Sequence, residues 1–287
     1  MHPARGHTMD HVITTTSAAR WERRIDAVPP LAWLAVQAAA LWTHWQWAAS
    51  RMADGSDDPL GLAALAVLAW AVWRVAPQLR GTPRPGWLAG ALGLSVLATA
   101  SVFCAPPLAG AVLAALALAC GLRAFLPHGQ AWLPLSGLMV LALPVVSSLQ
   151  FYAGYPLRVV VAQVSTWALQ LAGMQAERAG SAMSVDGHLV IVDAPCSGVQ
   201  MVWMAYFCAC AMAVAGGVSD RRFLRALPFV GVLVMAGNIV RNTMLVGLEA
   251  QQVVVAGWAH QAIGLAVLAA VCGTVAMIVR GGRHGRA

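Results

Sequence analysis

Asp193-Ala-Pro-Cys-Ser-Gly-Val-Gln-Met-Val-Trp-Met-Ala-Tyr-Phe-Cys-Ala-Cys-Ala-Met-Ala-Val-Ala-Gly216 opens on a Pro-, Ser- and Gly-marked bend and continues as an uncharged apolar run. At about 1.5 Å of rise per residue, such a run of roughly twenty residues crosses the hydrocarbon core of a bilayer as a helix. The bend is where that helix begins, because Pro195 in a first turn forfeits no helical hydrogen bond and Asp193 is of a capping type. Cys196 therefore sits at a helix N-terminus, where the helix dipole favours a thiolate.

The rest of the chain repeats the pattern. Its 287 residues are 60% apolar and 10% charged, and the mean hydropathy is +0.70. That leaves too little polar surface to cover a soluble globule. Further apolar runs lie near 30–49, 59–76, 87–106, 108–126, 132–150, 226–248 and 260–279, so we expect an all-α polytopic bundle of about eight transmembrane helices. The chain divides into an N-terminal tail (1–29), N-terminal transmembrane helices (30–129), a transmembrane core (130–279) and a basic tail (280–287). The first run ends in Trp-Thr-His-Trp-Gln-Trp rather than a small-residue cleavage site and reads as a retained span. His2, His7 and His11 lie scattered in the polar tail and read as solvated residues; no metal site or cofactor is expected.

All eighteen basic residues are arginine, and the formal net charge is +7. They fall mostly between the apolar runs, which is the distribution of topology signals and not of a nucleic-acid surface. With both termini on one side, fourteen arginines share that side, only Arg51, Arg158 and Arg178 lie opposite, and Arg241 is left inside a span. The positive-inside rule then places both termini in the cytoplasm and the Cys196 bend on the outer face of the cytoplasmic (inner) membrane.

Residues 151–195 form the longest stretch outside these runs. Tyr155 to Met174 has apolar residues at helical spacing interrupted by Arg158, Gln163, Ser165, Thr166 and Gln170, which predicts an amphipathic helix at the outer interface; the alternative is a ninth span, which would invert the arginine count upstream. Ala182 to Val192 alternates around Asp186-Gly187, a hairpin signal; the segment is either a strand that an extended peptide can join or a simple connecting turn.

Topology brings three chemically capable residues to one depth. Arg241 lies roughly 22 Å above the inner end of its span at ~1.5 Å per residue, hence one to two turns below the outer surface. An arginine there is costly and turns to the bundle interior or a wet cavity, or snorkels. His260 opens the last span from outside. A thiol nucleophile needs a base to ionise it and an acid for the leaving amine, which makes Cys196, Arg241 and His260 the candidate catalytic set. His44 and His188 are reserve candidates. Asn238 stands one turn before Arg241, able to orient it, to donate to an oxyanion or simply to pack; Ser197 either caps the helix or donates to the site. Cys104, Cys120, Cys208, Cys210 and Cys272 fall within spans and read as small apolar residues at depths unsuited to pairing with Cys196.

Ala194-Pro-Cys196-Ser-Gly198, Asn238-Ile-Val-Arg241 and a later His260 together resemble the exosortase/archaeosortase family of membrane-embedded cysteine transpeptidases. The resemblance spans roughly residues 130–275 and takes in Tyr155-Pro-Leu157, Gly173 and the turn at Gly187. It implies a cysteine nucleophile, an essential arginine and a histidine, roles that fall on Cys196, Arg241 and His260. The implied substrates are proteins with C-terminal sorting signals, of which the PEP-CTERM type joins a short motif, one transmembrane helix and a basic tail. Cleavage outside the membrane releases the tail, and the new carboxyl end passes to water or to an amine-bearing acceptor. Two other functions compete. A transporter would use Arg241 for an anionic substrate, and would need polar residues through several spans. A membrane thiol oxidoreductase would need a second outer cysteine near Cys196.

Overall fold

The computed structural model describes residues 28–191, 197–251 and 257–281. Among them the chain forms helices α1 (Pro30–Ala40), α2 (Trp42–Ala53), α3 (Gly61–Val75), α4 (Pro85–Ser101), α5 (Pro107–Phe125), α6 (Leu133–Leu141) and α7 (Val146–Leu171). Strands β1 (Ala176–Ala179), β2 (Ala182–Val185) and β3 (His188–Ile191) follow, then α8 (Val199–Gly216), α9 (Asp220–Ala250) and α10 (Gly257–Arg280). Every apolar run of the sequence is helical. Five helices are long and apolar enough to cross a membrane, six if the bent pair α6–α7 is one span, while α1 and α4 are shorter apolar helices. The protein is an all-α membrane bundle carrying a small sheet.

Two runs depart from the single spans expected of them. The first divides at Leu41 into α1 and α2. The fifth stops at Leu141, and the chain turns by 93° into α7. Pro144 lies in that turn; it has no N–H to donate and biases Leu143 away from helical backbone. The amphipathic helix therefore begins at Val146 rather than near Tyr155 and runs through Pro156 to Leu171.

The described residues fall into two compact units, one built from the chain up to Trp45 with Trp73–His128, the other from Gln46–Val72 with the chain from Gly129 onward. The first is a bundle of small residues. Ala111, Ala114 and Ala117 of α5 are fully buried, as close helix packing without a hydrophobic drive from lipid requires. Gln37 reaches in to donate to Ser95 Oγ at 3.1 Å and to the Ala117 carbonyl at 3.0 Å.

The second unit holds α6 to α10 and the antiparallel sheet, in strand order β1-β2-β3. Val185 pairs with His188 across Asp186-Gly187, whose φ values of 48° and 84° are those of a type I′ turn. The expected hairpin is thus present, with β1 added beside it. Met183, Val185 and Val190 turn inward and pack with Ala162 and Leu169 of α7 and with Val246 and Ala250 of α9. Two carboxylates hold the broken fifth run from either side. Asp220 Oδ1, at the start of α9, accepts the Trp132 and Leu133 N–H groups at 2.9 Å each, capping α6 from a distance. Buried Asp57 accepts the Ser147 N–H in the first turn of α7, at 3.2 and 3.3 Å from its two oxygens, and Ser147 Oγ donates to the Ser56 carbonyl at 2.8 Å.

Candidate active site

Cys196, with Asp193, lies outside the described residues, and Ser197 is joined to it by one peptide bond. Ser197 is 2% exposed. Its hydroxyl donates to Gln150 Oε1 of α7 at 2.8 Å and accepts the Val199 N–H at 3.3 Å. The serine thus accepts an N–H at the start of α8 and ties that start to α7, a contact the sequence did not suggest. Gly198 has φ +83°, a conformation glycine adopts at no steric cost. A Cβ at Gly198 would lie 2.7 Å from Asn238 Nδ2 and 2.8 Å from Asn238 Cγ, so the turn after the cysteine rests directly on α9.

Asn238 is 1% exposed and Asn242, one turn on, is 3% exposed. Asn242 Nδ2 donates to Ser165 Oγ of α7 at 3.3 Å, and Thr243 Oγ1 donates to the same oxygen at 3.0 Å. This polar seam fixes the rotation of α9, so that Arg241 between the two asparagines turns toward α10. There its Nη2 lies 3.4 Å from His260 Nε2. Arginine has only donors, so a hydrogen bond here needs His260 Nε2 as its acceptor. Arg241 Nε is buried without a hydrogen-bond partner among the described residues. Gly264, one turn past His260, leaves room for it: a Cβ there would lie 3.1 Å from Arg241 Nε.

Arg241 and His260 line a cavity of about 510 Å³ whose wall includes Gln200, Met201 and Met204 from the first turns of α8, together with Asp58. Two of the three candidate catalytic residues are therefore in contact. They share a cavity with the helix that follows Cys196 directly. The reserve candidates stand elsewhere. His44 belongs to the first unit, where its Nε2 lies 3.1 Å from the Ala98 carbonyl, an acceptor that requires Nε2 to be the donor. His188 is exposed at the start of β3. Among the described residues no group of three or more His, Cys, Asp or Glu is placed to hold a metal ion.

The family model for transmembrane exosortases (Exosortase_EpsH) matches residues 47–277. The chain belongs to the transmembrane exosortase family. Neither a curated protein nor a solved structure matches it. This exosortase is thus a multi-pass membrane protein of a family of protein-sorting enzymes. The match takes in the whole cavity, including the Asp57-Asp58 loop. The exosortase cavity also contains residues that sequence reasoning passed over. Asp58 and Gln200 meet at 2.8 Å, and both had a signal: adjacent acids in a chain with only eleven, and a glutamine at the head of an apolar run. Gly264, one of twenty-seven glycines, had none.

Proposed function

We propose that this exosortase is a cysteine transpeptidase that cleaves C-terminal sorting signals of the PEP-CTERM kind, a short motif followed by a transmembrane helix and a basic tail. The contact between Arg241 and His260, in a cavity shared with the start of α8, is the observation that carries the reading. Cys196 is the nucleophile. His260 Nε2 takes the thiol proton; the thiolate attacks the scissile carbonyl, and a C–S bond forms. Protonation turns Nε2 from acceptor to donor, which ends its contact with Arg241 and frees the Nη2 N–H for the oxyanion. His260 returns the proton to the departing amine as the C–N bond breaks, leaving a thioester on Cys196. An amine or water then resolves that thioester.

Arg241 serves the oxyanion because its Nε is a buried donor with nothing to bond among the described residues. Asn238 and Ser197 are positioning residues, one beneath the turn after the cysteine and the other anchoring it to α7. The arginine distribution supports a site on the extracytoplasmic face of the inner membrane with both termini in the cytoplasm. Residues 130–279 form the catalytic core, to which the Asp57-Asp58 loop contributes. The partners are membrane-anchored substrate proteins, the surrounding lipid and an amine-bearing acceptor.

The test is co-expression of the protein with a reporter ending in a sorting signal. Cys196→Ser, Arg241→Ala and His260→Ala should each leave the reporter uncleaved while the variant still reaches the membrane. Normal processing by Cys196→Ser would refute the covalent scheme.

A further inference from the structure

The cavity lining holds a second polar pair. Asp58 Oδ2 accepts Gln200 Nε2 at 2.8 Å, and both residues line the space that Arg241 and His260 line. The same lining includes Met201, Met204 and Leu265. Asp58 and Arg241 are the two formally charged lining residues, opposite in sign, and no ion pair joins them among the described residues. Asp58 is held in place by its neighbour, since Asp57 accepts the Asp58 N–H at 2.8 Å and the Ser147 N–H in α7. Asp58 is half-buried and its bond to Gln200 is exposed; a carboxylate fixed in this way, with one amide N–H on it, retains acceptor capacity for a cation.

Resting on the reading of Cys196 as the nucleophile, we infer that Asp58 and Gln200 form the amine subsite of the reaction, and that the acceptor is a primary alkylammonium. The tetrahedral intermediate of thioester aminolysis is dipolar, with a negative oxygen and a positive nitrogen. Arg241 matches the first and Asp58 the second, and the carboxylate attracts a cationic nucleophile over neutral water. The ammonium docks on Asp58 and gives up one proton to solvent through the carboxylate. The freed lone pair attacks the thioester carbonyl, a C–N bond forms and the C–S bond breaks. The second nitrogen proton passes by way of His260 to the departing Cys196 sulfur. Atoms and charge balance with no further reagent.

The experiment uses the full-length protein in lipid nanodiscs and a reporter peptide carrying a sorting signal, with the transferred and hydrolysed products counted by mass spectrometry. Two probe nucleophiles compete with water: ethanolamine, a cation at neutral pH, and hydroxylamine, which is neutral. Asp58→Asn keeps the oxygen that faces Gln200 and removes the charge. Its ratio of ethanolamine transfer to hydrolysis should fall about tenfold while the hydroxylamine ratio stays within about twofold. Asp58→Glu should recover part of the loss. Each ratio is internal to one reaction, so a lower total activity does not move it. An unchanged ethanolamine ratio, or an equal fall for both probes, overturns the subsite. The wild-type protein gives a second measure that needs no variant: rising salt should depress the ethanolamine ratio alone, and a salt-independent ratio also overturns it. Cleavage of the reporter by Cys196→Ala would instead remove the cysteine reading on which the subsite rests.

Discussion

Asn238 stands where a side chain at Gly198 would project, with its Nδ2 2.7 Å from the position a Cβ would take. The turn that follows Cys196 can rest on α9 because residue 198 has no side chain and can hold φ +83°. Gly198→Ala meets both obstacles at once, the left-handed backbone and the clash. It should destabilise the protein by about 1–3 kcal/mol and lower reporter cleavage at least tenfold. Asn238→Ala removes only the clash, so the double variant should regain part of the stability and not all of it. Thermal unfolding in detergent and cleavage rates, measured on all three variants, check the pair.

Gly264 makes room for the Arg241 guanidinium in the same way. A Cβ at 264 would lie 3.1 Å from Arg241 Nε and 3.7 Å from its Cζ. Gly264→Leu should displace the guanidinium from His260 and reduce cleavage by about 10²-fold, the scale of a lost oxyanion donor, with little change in melting temperature. Gly264→Ala should do less, since a flexible side chain can yield a few tenths of an ångström. Equal rates for Gly264→Leu and wild type would contradict this role.

Arg241→Lys keeps a charge and loses the planar fork that contacts His260 and presents a further N–H. Cleavage should fall by about 10²–10³-fold. A lysine variant with near-normal turnover would mean that charge alone suffices and that the contact with His260 is incidental.

Asp220 caps α6 through two N–H groups, 88 and 87 residues away in sequence. Asp220→Ala should cost about 1 kcal/mol of stability, typical of a lost cap, and leave turnover of the folded protein unchanged. Melting curves read beside kcat separate the two effects. A large fall in kcat at normal stability would assign Asp220 a part in the chemistry.

How much of this was legible in the sequence depends on the kind of constraint. The apolar runs were readable because a bilayer demands length and hydropathy together, and Asp186-Gly187 marked its hairpin because both residues must adopt positive φ. Arg241 was conspicuous because an arginine within a span needs a reason, and His260 followed from topology. The break after Leu141 was harder, since Pro144 sits in an apolar run that otherwise reads as continuous. The partners of Asp58 and Ser165 were hidden for a different reason. Asp58 meets its partner Gln200 142 residues away, and Ser165 meets Asn242 77 residues away; no local pattern links positions so far apart. Gly264 matters through a side chain it lacks, which composition does not reveal.

The function proposed for the site rests on a covalent bond between Cys196 and the substrate. Its most direct test is intact-protein mass spectrometry, with peptide mapping, of the full-length protein quenched in acid during turnover of a sorting-signal peptide. The expected result is an adduct of the N-terminal substrate fragment on the peptide containing Cys196, released by hydroxylamine and missing in Cys196→Ala. Continued cleavage with no adduct on Cys196, or an adduct that persists in Cys196→Ala, would contradict it.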